Sequence, residues 1–177
     1  MTDRRSLNLG DYLPYLVNRV GTIIADQFGA EALAPHRLSI AMWRVMAVLA
    51  STGGQRQIDL ADLTSIDAST LSRIVSRLVR MGLVARTRST TSHREVVVTL
   101  SARGGALTAR LIPLAYQFEA DAIAGLPPAE LAVLKRCLRR MYENMKKRNV
   151  ARVGRPADGL RETRERNSRL GSDPGFR

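Results

Sequence analysis

The sequence has little cysteine, few aromatic residues, a deficit of acids and no long apolar run. Its one cysteine, Cys137, excludes an intramolecular disulfide framework. Phe, Trp and Tyr together make up 5% of the chain, too few for a platform on which single-stranded bases stack. No stretch approaches the ~20 apolar residues of a membrane span. The first five residues also lack the apolar run of a signal peptide, so the expected location is cytoplasmic. Two histidines, His36 and His93, make a poor metal set even with Cys137, and no metal or other cofactor is expected. No Ser/His/acid or paired-carboxylate arrangement is discernible, so the chain is not read as an enzyme.

Positive charge is what the sequence has in excess. Against 16 acids stand 28 Lys and Arg, a formal charge of +12 and a pI near 11.2, which favours a polyanionic partner. Eight of the arginines and four of the acids lie from Arg148 onward, so residues 1–147 keep a charge of +8. The basic signal therefore belongs to the folded part as well as the tail. At 177 residues and 45% hydrophobic content, the chain is long enough to bury a core and carry extensions.

Helical spacing of apolar residues, from Leu9 through Tyr12, Leu13, Leu16, Val17, Val20, Ile23 and Ile24 to Phe28, predicts a helix within residues 7–29, with Gly29 and Pro35 bracketing its exit. Ser39 is placed to cap a second helix from Ile40 to about Ala50. A short helix from Gln57 to Leu63 and a longer one from Asp67 to Met81 follow, with Gly82 as the stop. The period then changes. Leu83–Arg88 and Glu95–Leu100 are β-branched, extended runs around a polar tip and read as a hairpin. Ser101 is placed to cap a long helix to about Ile123, bent at Pro113, and Leu126-Pro-Pro opens a last one.

On that last helix, Leu131, Leu134, Leu138, Met141 and Met145 recur at steps of three and four. Such a seam suits either an intrachain core or a helical partner; with the apolar first helix also needing cover, a two-chain bundle is the better expectation. Beyond Arg148 apolar residues are almost absent, and disorder is expected.

The segment 67–81 carries the functional signal. Leu71, Ile74, Val75 and Leu78 form its buried stripe, while Ser69, Ser72, Arg73, Ser76 and Arg80 cluster opposite, with Thr70 and Arg77 beside them. Small hydroxyls let a helix approach DNA closely, and guanidinium groups reach base edges or phosphates. Asp67 is a good N-cap, leaving the helix N-terminus to a backbone phosphate. Such a face in isolation is as often merely solvated. Here a short helix precedes it through Thr64-Ser65-Ile66, and a hairpin bearing Arg86, Arg88 and Arg94 follows. Residues 67–103 hold seven Arg and two acids, which tips the balance to DNA.

The stretches Leu38-Ser-Ile-Ala-Met-Trp-Arg-Val-Met46, Asp67-Ala-Ser-Thr-Leu-Ser-Arg73, Gly82-Leu-Val-Ala-Arg86 and Val98-Thr-Leu-Ser101 resemble, in order and spacing, the MarR family of bacterial regulators. The similarity runs from about residue 9 to 146. It implies a mainly α fold with a small β-hairpin wing, a winged helix-turn-helix domain on a helical dimerisation base. Residues 1–37 would form the N-terminal dimerisation helix and 38–101 the DNA-binding region. Residues 102–148 would supply the C-terminal dimerisation helices and 149–177 a basic, disordered tail. The recognition helix would be 67–81 and the wing 86–97.

The same resemblance implies a homodimeric repressor on a pseudo-palindromic double-stranded operator, released by a small aromatic or related organic effector. Tyr15, Arg19, Trp43, Arg44 and Met46 are the expected pocket lining. Two other functions stay open: an architectural protein coating DNA without sequence preference, and a ligand-insensitive regulator controlled by a protein partner. Three departures from the family stand out. Ser92-His93-Arg94 lacks the acid that usually braces the wing arginine, Thr64 stands where glycine is common in the turn, and Arg56 replaces a Ser/Thr cap. Cys137, in the last helix rather than near the first, is expected as a small core residue rather than an oxidant sensor.

Overall fold

Short polar side chains and prolines set where the helices of this chain begin, as its computed structural model shows for residues 7–88 and 96–153. Helix α1 (Leu13–Phe28) starts later than the apolar spacing implies. Asn8 folds the preceding residues into a turn, accepting from the Gly10 N–H at 3.1 Å and donating to Asp11 at 2.6 Å. Pro14 then occupies the first helical turn, where a missing N–H costs nothing. At the other end Gly29 does not stop the winding. A π turn (Gly29–Leu33) and a 3-10 turn (Ala34–His36) continue it until Arg37 adopts a left-handed conformation at φ +57°.

Helix α2 (Ile40–Thr52) is capped by Ser39, whose hydroxyl accepts from the Met42 N–H at 3.3 Å. A two-residue strand, β1 (Gln55–Arg56), leads directly into α3 (Gln57–Thr64) and then α4 (Ala68–Arg80). Strands β2 (Val84–Arg88) and β3 (Val96–Leu100) pair antiparallel from Val84 opposite Leu100 to Arg88 opposite Val96. The β1 strand, which periodicity does not reveal, pairs with the other edge of β3 and completes a three-stranded sheet in the order β1-β3-β2. Ser101 caps α5 (Ala102–Ala122) through the Gly104 N–H, and the helix continues through Pro113. The last helix, α6 (Pro128–Val153), extends five residues beyond Arg148 into the stretch expected to be disordered; residues 154–177 lie outside the described ones.

The fold divides into two units at Gly125. In the first, Leu33 of the π turn, Met42, Val45, Met46 and Leu49 of α2, Leu60 of α3, and Leu71, Val75 and Leu78 of α4 meet Leu83, Val98 and Leu111 in one core. Burial of each such side chain is worth roughly 1.5–3 kcal/mol. The three from α4 thus hold a helix that is otherwise polar and basic. Toward its N-terminus, α1 leaves Leu13, Leu16, Val17, Val20 and Ile23 exposed. The second unit has α6 as its only described helix, with Leu134, Leu138 and Met145 exposed and Leu131 and Met141 half-buried. A lone helix has no interior, and Cys137, expected in a core, is exposed.

Candidate nucleic-acid interface

Helix α4 is fixed at both ends by its own sequence. Asp67 Oδ1 accepts from the Thr70 N–H at 2.9 Å and from the Ser69 hydroxyl at 2.7 Å. These bonds, the Thr70 backbone one foremost, hold the Asp67 carboxyl well below the usual carboxylate range. At the other end Gly82, at φ +68°, supplies the left-handed residue of a Schellman motif, with the Leu83 N–H bonded to Leu78 O at 3.0 Å and the Gly82 N–H to Val79 O at 2.9 Å. Arg103 Nη1 reaches the Met81 carbonyl from α5 at 3.4 Å.

Because the folded pKa of Asp67 is depressed, its stabilising effect is fully present above the unfolded value of about 4 and is lost as pH falls through the lower folded one. Asp67→Ala is therefore expected to lower the melting temperature at pH 7. The gap between it and the unaltered protein should narrow as pH is taken down to 2. Asp67→Asn, which keeps an acceptor for the Thr70 N–H but not the charge, should fall between Asp67→Ala and the unaltered protein at pH 7. Thermal melts across that range decide it, and an unchanged midpoint for Asp67→Ala would remove the cap as a determinant of α4.

The turn before α4 differs from expectation in one detail. The left-handed residue is Ser65, at φ +55°, and not Thr64. Thr64 is buried and its hydroxyl donates back to Leu60 O, so a side chain at 64 is part of the packing while Ser65 bears the conformation that glycine adopts most easily. Arg56 does not cap α3. Its guanidinium pairs with Asp59 at 2.7 Å, holding that carboxyl below its ordinary pKa.

On the outer face, Ser69, Arg73, Arg77 and Arg80 are exposed, and Thr70, Ser72 and Ser76 are half-buried. Ser72, Arg73, Ser76, Arg77, Val79, Arg80 and Arg86 line one depression of about 570 Å³, which brings four guanidinium groups together with no acid among them. Ser76 does not face out with its hydroxyl free. It donates to Ser72 O at 2.8 Å and accepts from Arg86 Nη2 at 3.0 Å, tying the first wing strand to α4. Arg88 ends β2, with its side chain outside the described residues. Arg94 and the tip Ser92-His93-Arg94 also lie outside them.

A second concavity lies between α1, α2 and α5. It measures about 490 Å³ and is lined by Ile24, Phe28, Ile40, Trp43, Arg44, Val48 and Phe118, among others. Phe28 meets Trp43 and Phe118 edge-on, each at 5.4 Å between centroids. Of the five residues expected to line a pocket, Trp43 and Arg44 do so. Met46 does not, because it turns inward and is fully buried in the core. Tyr15 and Arg19 do not either; they pair with each other further up α1, the guanidinium 5.6 Å from the ring centroid. Phe118 was missed. It lies 75 residues from Trp43, and nothing local marks it except being one of three phenylalanines.

Among the described residues no group of three His, Cys, Asp or Glu is placed to hold a metal ion. None of the described helices is long and apolar enough to cross a membrane.

Comparison with known proteins agrees with this geometry. The MarR family profile matches residues 38–96. The HTH-type transcriptional repressor Rv2887 of Mycobacterium tuberculosis is 29% identical over 137 residues, covering 76% of this chain and 98% of that protein. Among solved structures, a MarR family transcriptional regulator of Silicibacter pomeroyi superposes with a TM-score of 0.72 at 27% identity, over 81% of this chain and 97% of that one. BpsR of Bordetella bronchiseptica, whose DNA binding is regulated by 6-hydroxynicotinic acid, superposes with a TM-score of 0.65 at 27% identity, over 73% of this chain and 97% of BpsR.

Proposed function

From a chain that carries a MarR-family winged helix-turn-helix domain and is a transcriptional regulator, we propose a homodimeric repressor that reads a pseudo-palindromic operator and leaves it when a small aromatic acid binds. One observation carries the DNA reading: the acid-free depression in which Arg73, Arg77 and Arg80 of α4 meet Arg86 of the wing. Four cations crowded on a surface repel one another, and a polyanion relieves that repulsion. Ser69, Thr70, Ser72, Arg73 and Arg77 follow the major groove, and Arg80, Arg86, Arg88 and Arg94 meet phosphates or the minor groove. Residues 38–101 act as the DNA-binding region. The exposed apolar faces of α1 and α6 support pairing between two copies, so that residues 1–37 and 102–148 build the dimer base.

The effector belongs in the cavity beside Trp43. Its volume lies within the range of small-molecule sites. Phe28, Trp43 and Phe118 suit a flat ring and Arg44 suits a carboxylate. The acid that regulates BpsR has that chemistry.

Selection of duplexes from a random pool tests the main reading. The expected consensus is an inverted repeat with half-sites about one helical turn apart, roughly 10 base pairs. Sedimentation at micromolar concentration should give about twice the 19.5 kDa chain mass. A stable monomer, or a protein displaced from its selected site equally well by unrelated DNA, would defeat the reading; the second result would favour an architectural role.

A further inference from the structure

Arg44 belongs to two environments at once. It lies on α2 and is the one charged residue among the described lining of the aromatic cavity. Its Nη1 also donates, at 3.4 Å, to the carbonyl oxygen of Thr64, the last residue of α3. The final carbonyls of a helix have no partner within it, and a guanidinium is a strong charge-assisted donor for one of them. Thr64 is buried, and Asp67, the cap that starts α4, lies only three residues further on. The side chain that faces the cavity thus also steadies the turn joining α3 to the DNA-facing helix. Arg44 is itself exposed.

We propose that Arg44 is the positioning residue through which the cavity controls the helix-turn-helix: an aromatic carboxylate competes with the Thr64 carbonyl for the Arg44 guanidinium, and loss of that bond loosens the turn that sets α4. The idea rests on the proposed regulator reading and adds a route that runs inside one protomer. Its chemical basis is a difference in acceptor strength. A carboxylate carries a full charge and binds guanidinium in a bidentate fork, whereas a peptide carbonyl offers one neutral acceptor. A ring that lacks the anion fills the apolar part of the cavity without drawing Arg44 away. A ligand shifts the equilibrium only by its differential affinity for the two arrangements, so occupancy alone releases no DNA.

The test compares 6-hydroxynicotinate with its neutral amide on the full chain and its selected operator. Trp43, the chain's one tryptophan, reports occupancy by fluorescence independently of DNA. With the unaltered protein, saturating acid should weaken operator binding by roughly five- to tenfold, about 1–1.4 kcal/mol. Saturating amide should change Trp43 emission and leave operator affinity within twofold. Arg44→Gln should bind the operator roughly five- to tenfold more weakly without any ligand, the size of one ordinary net hydrogen bond, as suits a contact of 3.4 Å, and acid should weaken it no further than twofold. Release of DNA by the amide as effective as by the acid would overturn the proposal. So would an Arg44→Gln protein with full affinity and full response, or acid and amide both leaving Trp43 emission unchanged. Failure of the unaltered protein to select any operator would instead sink the regulator reading itself.

Discussion

Gly104→Ala is expected to cost about 3 kcal/mol or more of stability, at the top of the overpacking range, because the added methyl has no place to go. Gly104 is buried in the first turn of α5, against the backbone of Leu83. A Cβ there would overlap the Leu83 carbonyl oxygen and sit 2.8 Å from its carbon. That same carbonyl accepts from the Ser101 N–H at 3.0 Å, and the Ser101 hydroxyl donates to Gly82 O at 2.7 Å. The close approach therefore joins the end of α4, the root of the wing and the start of α5. Backbone has to move to admit a methyl group, and a rotamer change offers no escape. For a chain of this length the loss corresponds to a fall in melting temperature of roughly 6–12 °C.

The neighbouring position supplies the control. A Cβ on Gly105 meets nothing within 4 Å, so Gly105→Ala should raise stability by roughly 0.5–1 kcal/mol through helix propensity. Urea or thermal denaturation at one fixed protein concentration measures both. Equal effects of the two substitutions would show that α5 does not approach Leu83 as described. Operator affinity of Gly104→Ala should fall as well, since the wing springs from the same junction.

Arg73→Ala is expected to have the largest effect on DNA binding. Arg73 is exposed in the first half of α4, where a recognition helix meets base edges. Removing a bidentate arginine–base pair costs about 1–3 kcal/mol, and a two-fold operator contains that pair twice, so binding should weaken by roughly 2–6 kcal/mol. Base preference should flatten at one symmetric pair of positions. An arginine that meets phosphate behaves differently. Arg80→Ala should weaken all sequences alike and lower the salt dependence by about one ion for each phosphate left without its arginine. Ser76→Ala should leave the consensus unchanged, because that hydroxyl is already engaged with Ser72 O and Arg86. Quantitative binding-site selection with the three variants separates these roles. An unaltered consensus for Arg73→Ala would move base reading elsewhere on the helix.

What the sequence determined by itself is local in origin. The stripe Leu71, Val75 and Leu78 repeats at helical spacing, so one face of α4 is apolar whatever surrounds it, and its arginines fall on the other. Ser39, Asp67 and Ser101 cap the helices they precede because each needs only an N–H three residues on. The change from helical period to β-branched runs marks the wing for the same reason. Tertiary structure decided the features in which residues distant along the chain meet. Two residues of β1 are too few to show a period, and they become a strand only because Val97 and Val98 offer an edge some 40 residues later. Composition alone makes Tyr15, Arg19, Trp43, Arg44 and Met46 equally good company for an aromatic acid. Packing buries Met46, leaves Tyr15 and Arg19 to each other, and brings Phe28 and Phe118 beside Trp43 and Arg44. The hydroxyl of Ser76 looks like a DNA contact until Arg86, ten residues on, folds back to occupy it. A periodic pattern carries information about a residue's own helix and none about which other helix will lie against it. That second question is answered by the packing of α1, α2 and α5 around a shared core.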